Sequence, residues 1–352
     1  MALTRPGKLL VGLITVVVLV GGGLFAYSAL TGNTIPGIGG GGGDGDGGPD
    51  DLPVPDACPL TGLQAEVPNR PVLAVKIENA QASRPQSGLD KADIVYEQPT
   101  EGAITRFIAV FQCQDAERLG PVRSTRLADP DIVSQFGPST PLFAHSGGIP
   151  EIVEGITRAG ITDVGFDRQP SVYERDINRD SPHNLYTSTS GLYGAADDPT
   201  GVPAPMFTYD PRVPQGARPA TSLTVASSSQ FSDESILWRY DTGKKAYVRF
   251  HRDTAHTVEG GAQVQARNVI VQYVQTRPSG FTDVNGVPVL EVASVGEGDA
   301  IILRNGQAVE GRWVRSFPED VTKFLDGERQ IDLQAGNTWI MLVPVGVSAS
   351  FE

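Results

Sequence analysis

The feature that most constrains this chain is an uncharged apolar segment near its N-terminus. Residues 9–30 carry no charge, and their number matches the ~20 residues that a helix needs to cross a bilayer. Arg5 and Lys8 precede the segment, and basic residues beside a membrane helix stay in the cytoplasm. We therefore expect a cytoplasmic tip at residues 1–8, a single transmembrane helix at residues 9–30, and a body on the extracytoplasmic side of the cell membrane.

A cleaved signal peptide is the alternative for the same segment, because Ala26-Tyr27-Ser28 resembles a small-residue cleavage site. No cysteine stands at the end of the apolar run, so we do not expect a lipid attachment there. Residues 31–56 are rich in glycine and aspartate and hold too little apolar surface to fold. This composition predicts a flexible linker between the membrane and the body.

The charge of the chain argues against one class of partner. The 352 residues have a formal net charge of -13, and an acidic surface repels phosphate backbones. We therefore expect no nucleic acid as a partner. A hydrophobic fraction of 39% still allows a sizeable core, and the length suits two ordinary domains.

Residues 57–205 mix strand and helix patterns, which predicts an α/β domain with a mixed sheet and flanking helices. Short apolar runs rich in β-branched residues predict buried strands, and these runs fall at residues 71–77, 93–97, 104–111 and 141–145. Helices are expected near residues 125–136 and 149–159, and Gly160 ends the second helix.

The pattern changes after a proline-rich linker at residues 206–220. Residues 221–352 consist of short alternating runs separated by turn sequences such as Asp241-Thr242-Gly243, Asn285-Gly286 and Asn305-Gly306. This pattern predicts a mostly-β domain, built as a sandwich or a barrel-like module.

Cys58 and Cys113 are the two cysteines of the chain, and both follow the apolar segment. A pair of cysteines in an oxidising compartment predicts a disulfide. Two buried free thiols are the alternative. The cysteines lie far apart with no histidine spaced to join them, so we expect no zinc site.

Polar residues of the first domain are concentrated in four segments, which together supply a candidate site. His145 directly follows a predicted strand, and ligands of open α/β sheets bind at the carboxyl ends of strands. Arg123 and Arg126 could hold a carboxylate or a phosphate through paired hydrogen bonds, or could simply pair with nearby surface carboxylates. The candidate ligand-binding residues are Arg84, Glu97, Glu101, Arg106, Arg123, Ser124, Arg126, Ser146 and Asn184.

His145 and His183 are the candidate catalytic residues, because a histidine titrates near neutral pH and can serve as a general base. Ser146 and Ser181 could act as nucleophiles, but no Gly-x-Ser-x-Gly elbow supports a hydrolase triad. The other two histidines, His251 and His256, are expected at the surface of the β-rich half.

Glu97 and Glu101 could form a carboxylate pair of the glycosidase type, although solvated glutamates are the simpler interpretation. Two histidines make a poor metal site unless Glu97, Glu101 or Asp180 joins them. We therefore expect no metal and no cofactor.

Several of these segments resemble motifs of the YerB-like lipoproteins, a bacterial domain family of unknown function. The segments that carry the resemblance are Arg84-Pro85-Gln86-Ser87-Gly88-Leu89, Ala92-Asp93-Ile94-Val95-Tyr96-Glu97, Glu101-Gly102-x-Ile104-Thr105-Arg106-Phe107, Gly120-Pro121-Val122-Arg123-Ser124, His145-Ser146-Gly147-Gly148 and Ser181-Pro182-His183-Asn184-Leu185-Tyr186. Gly311-Arg312-Trp313 and Gly336-Asn337-Thr338-Trp339-Ile340 resemble the C-terminal module of that family more weakly. The resemblance implies a cell-envelope protein with two modules and no established reaction. Typical members carry a lipid on a cysteine, whereas this chain is expected to use a transmembrane helix.

Three hypotheses of function follow. The arginine and histidine cluster could bind an anionic cell-wall or envelope component, such as a muropeptide carboxylate or a teichoic-acid phosphate. Alternatively, the protein could be an envelope hydrolase or transferase, with His145 or His183 as general base and an arginine as electrostatic stabiliser. In the third hypothesis the motifs only hold the fold together. All three depend on whether these residues come together in space.

Overall fold

The computed structural model describes residues 56–197, 199–283 and 286–352. The expected transmembrane helix at residues 9–30 and all but the last residue of the 31–56 linker lie outside these ranges. Within the described ranges, no helix is both long enough and apolar enough to cross a membrane. The described residues belong to one compact unit.

The first half contains seven short or medium strands and three α-helices. The strands are β1 (Leu73–Glu78), β2 (Ile94–Thr100), β3 (Ile104–Phe111), β4 (Leu142–Ala144), β5 (Thr162–Asp163), β6 (Glu174–Arg175) and β7 (Leu185–Tyr186). The α-helices are α1 (Asp129–Ser134), α2 (Pro150–Arg158) and α3 (Thr189–Gly194), and there are 3-10 turns at Gln81–Ser83, Leu89–Lys91 and Pro170–Val172. The expected mixed sheet with flanking helices is confirmed for this half, although α1 is shorter than its predicted range.

The second half is mostly β, as expected, and its described residues contain no helix. Its strands are β8 (Arg218–Pro219), β9 (Ser222–Val225), β10 (Ile236–Asp241), β11 (Ala246–His251), β12 (Thr254–Ala255), β13 (Gln265–Ala266), β14 (Asn268–Val274), β15 (Thr276–Thr282), β16 (Pro288–Val292), β17 (Gly296–Arg304), β18 (Gln307–Arg315), β19 (Lys323–Asp326), β20 (Arg329–Gln330), β21 (Thr338–Pro344) and β22 (Ala349–Phe351). The predicted turn Asn305-Gly306 joins β17 to β18 with φ angles of 50° and 71°, the left-handed conformation that a two-residue hairpin needs. Part of another predicted turn, Asn285-Gly286, lies outside the described residues.

Both halves contribute strands to one twelve-stranded sheet. Its order is β20-β19-β18-β17-β14-β21-β2-β3-β1-β4-β5, and β8 pairs with β18. The two halves meet where β2 pairs in parallel with β21, with Ile94 opposite Thr338 and Glu97 opposite Met341. The 206–220 linker therefore separates two sequence modules that share one sheet, and the domain boundaries placed there stay a prediction.

The central strands of the large sheet, such as β1, β3 and β21, are buried on both faces, which explains why they are mostly apolar. Leu73, Val75 and Ile77 of β1 point to one face, and Ala74 points to the other. A six-stranded sheet of order β12-β11-β10-β9-β22, with β13 paired to β11, packs over the first of these faces. Helices α1 and α2 pack over the opposite face. We call them the sandwich face and the helix face.

Cys58 and Cys113 form a disulfide, as expected, with their Cα atoms 6.0 Å apart. The bond connects the first described residues to the chain just after β3. It therefore fixes the start of the body to the centre of the large sheet.

Candidate functional site

The candidate site lies at the carboxyl ends of two parallel strands. β1 and β4 pair in parallel until β4 ends at Ala144, and Val122 then forms a bridge with Ile77 of β1. The amide of Arg123 donates to the Lys76 carbonyl at 2.9 Å, and the amide of Ser146 donates to the Arg123 carbonyl at 3.0 Å. The Gly120–Ser124 and His145–Gly148 motifs therefore meet where ligands of such sheets usually bind.

Period-two alternation sends the charged side chains of this region to the helix face. Ile108 of β3 packs on the helix face, so Arg106, two residues earlier, points the same way. Glu78 lies directly opposite Arg106 in the β1–β3 register, and Lys76 is two residues before Glu78. These three charged residues of adjacent strands therefore share one face of the sheet.

Arg106 is the least compensated cation of the site. Its side chain is buried, with a relative exposure of 6%, and its Nη1 donates to the Ser124 carbonyl at 3.0 Å. Among the described residues no carboxylate forms an ion pair with it, and its buried Nε has no hydrogen-bond partner. Burial, followed by repulsion from Arg126 and Arg123, lowers the pKa of Arg106 to about 9.

The two neighbouring arginines each have one acidic partner. Arg123 pairs with Glu78, with Nε and Oε1 3.1 Å apart, and Arg126 pairs with Glu101, with Nη2 and Oε2 2.8 Å apart. The side chains of these carboxylates are 2% and 6% exposed, so the expectation that Glu101 is solvated is wrong. Each guanidinium keeps other donors that these pairs do not use.

A fully buried ion pair, Lys76–Asp129, lies next to the arginines and holds the backbone of Arg126. Lys76 Nζ lies 2.7 Å from Asp129 Oδ1, and neither side chain is exposed. Asp129 also accepts from the amide of Arg126 at 2.7 Å and from the hydroxyl of Thr125 at 3.1 Å. Burial lowers the pKa of Lys76 to about 8. The cluster thus contains four cations, Lys76 and three arginines, but three carboxylates, in a protein that is acidic overall.

His183 joins the cluster through Glu78. Its Nδ1 lies 2.8 Å from Glu78 Oε2, so the neutral ring donates from Nδ1 and leaves Nε2 as an acceptor. Its side chain is 24% exposed, and Glu78 is shared with Arg123. Sequence reasoning missed Glu78, Lys76 and Asp129. A lysine within the apolar strand at residues 71–77 was the available indication, because a buried lysine needs a partner.

His145 lies nearby, but its ring points elsewhere. Its Nδ1 is 3.0 Å from the Gly147 carbonyl and its Nε2 is 3.0 Å from Asp163 Oδ1, with the residue 1% exposed. Burial opposes ionisation of Asp163, but hydrogen bonds from His145 and from the Gly165 amide hold its pKa below the usual value. Both ring nitrogens of His145 face acceptor oxygens of the protein, a carbonyl and a carboxylate, so neither is available to a ligand.

The serines and Asn184 have structural partners. Ser124 Oγ donates to the Ser146 carbonyl at 2.9 Å, which ties the two motif loops together. Asn184 accepts from Arg175 Nη1 at 2.9 Å and donates to the Arg179 carbonyl at 3.2 Å, which organises its own loop. Their assignment to ligand binding stays a prediction.

Glu97 and Arg84 lie in a different network, on the sandwich face. Glu97 is fully buried rather than solvated, and it pairs with Arg249 from the second half, with Oε1 and Nη2 2.8 Å apart. Arg249 Nη1 also donates to His251 Nε2 and His256 Nδ1, both at 2.8 Å. The expectation that these two histidines lie at the surface is wrong, since they are 6% and 2% exposed. Burial and then the Arg249 charge lower the pKa of both rings.

The structure thus divides the predicted residues into two groups. Arg106, Ser124 and Arg126 come together with Arg123 and His183 on the helix face, and Glu101 completes this cluster. Glu97 and Arg84 lie on the sandwich face, and the ring of His145 faces Asp163. The described residues contain no group of three or more His, Cys, Asp or Glu side chains placed to hold a metal ion.

The protein therefore has a body of two sequence modules that share one mixed sheet, with a polar cluster on each face of the sheet. Family models divide the chain into the same two modules. Residues 60–201 match the family model described as "Protein of unknown function (DUF3048) N-terminal domain", and residues 226–340 match the corresponding C-terminal domain. The chain belongs to this family, which confirms the resemblance inferred from the motifs.

The Bacillus subtilis (strain 168) protein named "Putative lipoprotein YerB" is 32% identical over 296 residues, which cover 81% of this chain and 86% of the relative. The crystal structure of YerB from Bacillus subtilis has a TM-score of 0.72 at 27% identity, and the match covers 84% of this chain and 99% of that one. The match extends over both modules, so the shared sheet belongs to the part of the chain that is similar to YerB.

Proposed function

We propose that this protein is a membrane-anchored cell-envelope protein with its body outside the cytoplasm, and that its first module binds an anionic wall or envelope component. The name of the Bacillus subtilis relative, a lipoprotein, supports a place at the outer side of a membrane. The apolar segment at residues 9–30 would supply the anchor in this chain. Because the whole protein is acidic, a local cluster of cations is unusual in it and points to a specific anionic ligand.

One observation carries the binding proposal: the buried guanidinium of Arg106 has no carboxylate partner among the described residues. A buried cation without an ion-pair partner is unfavourable, and an anionic ligand would supply the missing charge. Arg123 and Arg126 flank it and repel it, so a carboxylate or phosphate would relieve both the desolvation and the repulsion.

Isothermal titration calorimetry with soluble muropeptides and with teichoic-acid fragments tests this function. We expect the wild-type protein to bind at least one of these anions, and Arg106→Met and Arg123→Ala to weaken binding at least tenfold, the usual effect of losing a charge-assisted hydrogen bond. Arg158→Ala is the matched control, because Arg158 is an exposed arginine of the same module on α2. If no fragment binds the wild type, or if both site variants bind like it, the residues only hold the fold together.

The Glu78–His183 pair favours a second candidate function, an envelope hydrolase or transferase. Glu78 orients the imidazole, the free Nε2 of His183 can accept a proton from a water, and Arg106 and Arg123 can stabilise a developing negative charge. No hydroxyl among the described residues hydrogen-bonds to this Nε2, so water would be the nucleophile.

Turnover separates the two candidate functions. A catalytic site requires His183→Ala and Glu78→Gln to lower product release from a bound wall fragment by at least a hundredfold, while binding persists. If His183→Ala keeps full activity on every fragment that is turned over, His183 is not the base. If the wild type binds fragments and releases no product, only the binding function remains.

A further inference from the structure

A cavity of about 450 Å³ opens on the sandwich side of the molecule, away from the arginine cluster on the helix face. It lies between the Gln81–Pro85 segment of the first module and the end of β11 with the following turn in the second module. Its volume falls within the range of about 300–1,000 Å³ that is typical of small-molecule sites. The cavity and the arginine cluster use different charged residues.

Arg249 fixes the protonation pattern of the two histidines at the wall of this cavity. A guanidinium only donates, so His251 Nε2 and His256 Nδ1 must both accept from it. The proton of each neutral ring therefore sits on the other nitrogen. His256 uses its Nε2 proton on Gln86 Oε1 at 2.9 Å. His251 has no hydrogen-bond partner for Nδ1, although the residue is only 6% exposed.

Two oppositely charged side chains at the cavity, those of Glu234 and Arg252, can still form hydrogen bonds and ion pairs with a ligand. Glu234 Oε2 pairs with Arg84 Nη1 at 2.6 Å and lies 3.4 Å from His251 Nδ1, while its Oε1 accepts no hydrogen bond from a described residue. The guanidinium of Arg252 forms no ion pair or hydrogen bond with any described residue. Its backbone amide donates to the Ser235 carbonyl at 2.8 Å, which holds Arg252 next to Glu234.

We propose that this cavity is a second binding site, for a small zwitterion, either a free α-amino acid or a short peptide with both termini free. The ammonium group of the ligand pairs with Glu234 Oε1, and its carboxylate pairs with Arg252. The Nδ1–H of His251 lies 3.4 Å from Glu234 Oε2, beside the carboxylate that holds the ammonium group. The lining hydroxyls of Thr254 and Thr257 offer further hydrogen bonds to a polar backbone.

The geometry favours a zwitterion over a simple anion. Arg84 contacts Glu234 only at Oε2, so Oε1 keeps no donor among the described residues, and Arg252 is a cation of the lining without a partner among them. A simple anion beside Arg252 would meet the unshielded oxygen of Glu234, and a simple cation beside Glu234 would meet Arg252. A ligand with both charges pairs with Glu234 and with Arg252. A ligand with one charge would leave one of these two side chains unpaired, and this difference makes the site specific for a zwitterion.

Calorimetry on the full-length protein tests the proposal with a panel of the twenty amino acids and the dipeptide alanyl-alanine. We expect at least one member to bind. N-acetylation or C-terminal amidation of that ligand should weaken binding at least tenfold, because each removes one charge. The proposal is overturned if no panel member binds the folded protein, or if the blocked ligand binds as well as the free one.

Two variants locate the ligand in the cavity. Arg252→Gln should weaken binding of the free ligand at least tenfold and reduce the penalty for amidation, and Glu234→Gln should do the same for acetylation. Lys245→Gln is the matched control, because Lys245 is also a cation at positive φ, 52° against 54° for Arg252, and it does not line the cavity. Binding unchanged in both cavity variants would place the ligand elsewhere and would also overturn the proposal. Arg106→Met should bind the zwitterion normally, so this site and the anion site fail or succeed independently.

Discussion

Glu97 of β2 and Arg249 of β11 form an ion pair in which both side chains are completely buried, with Oε1 and Nη2 2.8 Å apart. Glu97 also accepts from the indole N–H of Trp339 at 2.9 Å and from the hydroxyl of Thr105 at 2.8 Å. The pair therefore connects the two sequence modules through the sandwich face. Its carboxylate accepts hydrogen bonds from three protein side chains, those of Arg249, Thr105 and Trp339.

Removing one member of this pair should destabilise the whole body. Arg249→Met leaves the Glu97 charge buried without its counter-ion, and we expect a loss of about 3–5 kcal/mol in the free energy of unfolding. Urea denaturation measures this change. Arg239→Met is the control, because the Arg239 side chain in the same small sheet is 53% exposed, and its loss should stay within about 0.5 kcal/mol. A double variant with Glu97→Gln should recover part of the loss, and a failure to do so would contradict an electrostatic origin.

A second prediction concerns Asp93, whose stability contribution depends on pH. Burial raises the pKa of Asp93 to about 6, against the hydrogen bonds from the amides of Cys113 and Gln112 that lower it. The folded state therefore holds this proton more tightly than the unfolded state. The contribution of Asp93 to stability is complete below about pH 4 and is lost as the pH rises through about 6.

The variant Asp93→Asn removes this titration. From a shift of about two pKa units we expect the free-energy difference between wild type and variant to change by roughly 3 kcal/mol between about pH 4 and 7, in the direction of a relatively less stable wild type at the higher pH. Denaturant unfolding of both proteins across this range measures the difference. A difference that does not change with pH would show that Asp93 keeps the same protonation in both states.

The disulfide gives a third prediction. Cys58 and Cys113 close a loop with a sequence separation of 55, and the loss of loop entropy in the unfolded chain corresponds to roughly 4 kcal/mol. Addition of dithiothreitol should therefore lower the unfolding midpoint of the wild type. The double variant Cys58→Ala, Cys113→Ala should start from the lower midpoint and show no further change with reductant. Equal midpoints with and without reductant in the wild type would mean that the bond contributes nothing.

A fourth prediction follows from the uncompensated charge of Arg106. An anion bound at this site should stabilise the fold by roughly 1.4 kcal/mol when its concentration is ten times its Kd. Thermal unfolding in potassium phosphate and in potassium chloride of equal ionic strength separates specific binding from screening. We expect phosphate to raise the Tm of the wild type by a few degrees and to leave Arg106→Met unchanged. A phosphate effect of the same size in both proteins would locate the anion elsewhere.

The strands of the protein could largely be predicted from local patterns. The runs at residues 71–77, 93–97 and 104–111 overlap β1, β2 and β3, because each is short, apolar and rich in β-branched residues. The Asn305-Gly306 turn was equally accessible, since few residue pairs adopt positive φ so easily. Strands and turns of this kind are determined by residues close together in the sequence, so they can be predicted from the sequence alone.

The partners of the polar residues could not be predicted in the same way. His251 and His256 occur in a strand and a turn that look half-exposed, and only the Glu97–Arg249 pair from a distant strand explains their burial. Glu78 became visible as a site residue only once the β1–β3 register placed it opposite Arg106. Such pairings join residues far apart along the chain, and no local period encodes them.

The parallel pairing of β2 with β21 has a consequence for how the chain is made. The backbone hydrogen bonds of β2, near residue 94, are completed by a strand that begins at Thr338, far later in the chain. During synthesis this edge of β2 therefore stays open until β21 has been made, and closure of the sheet is a long-range event. Until β21 has been made, a nascent chain of this protein has to be kept from pairing that edge with another molecule.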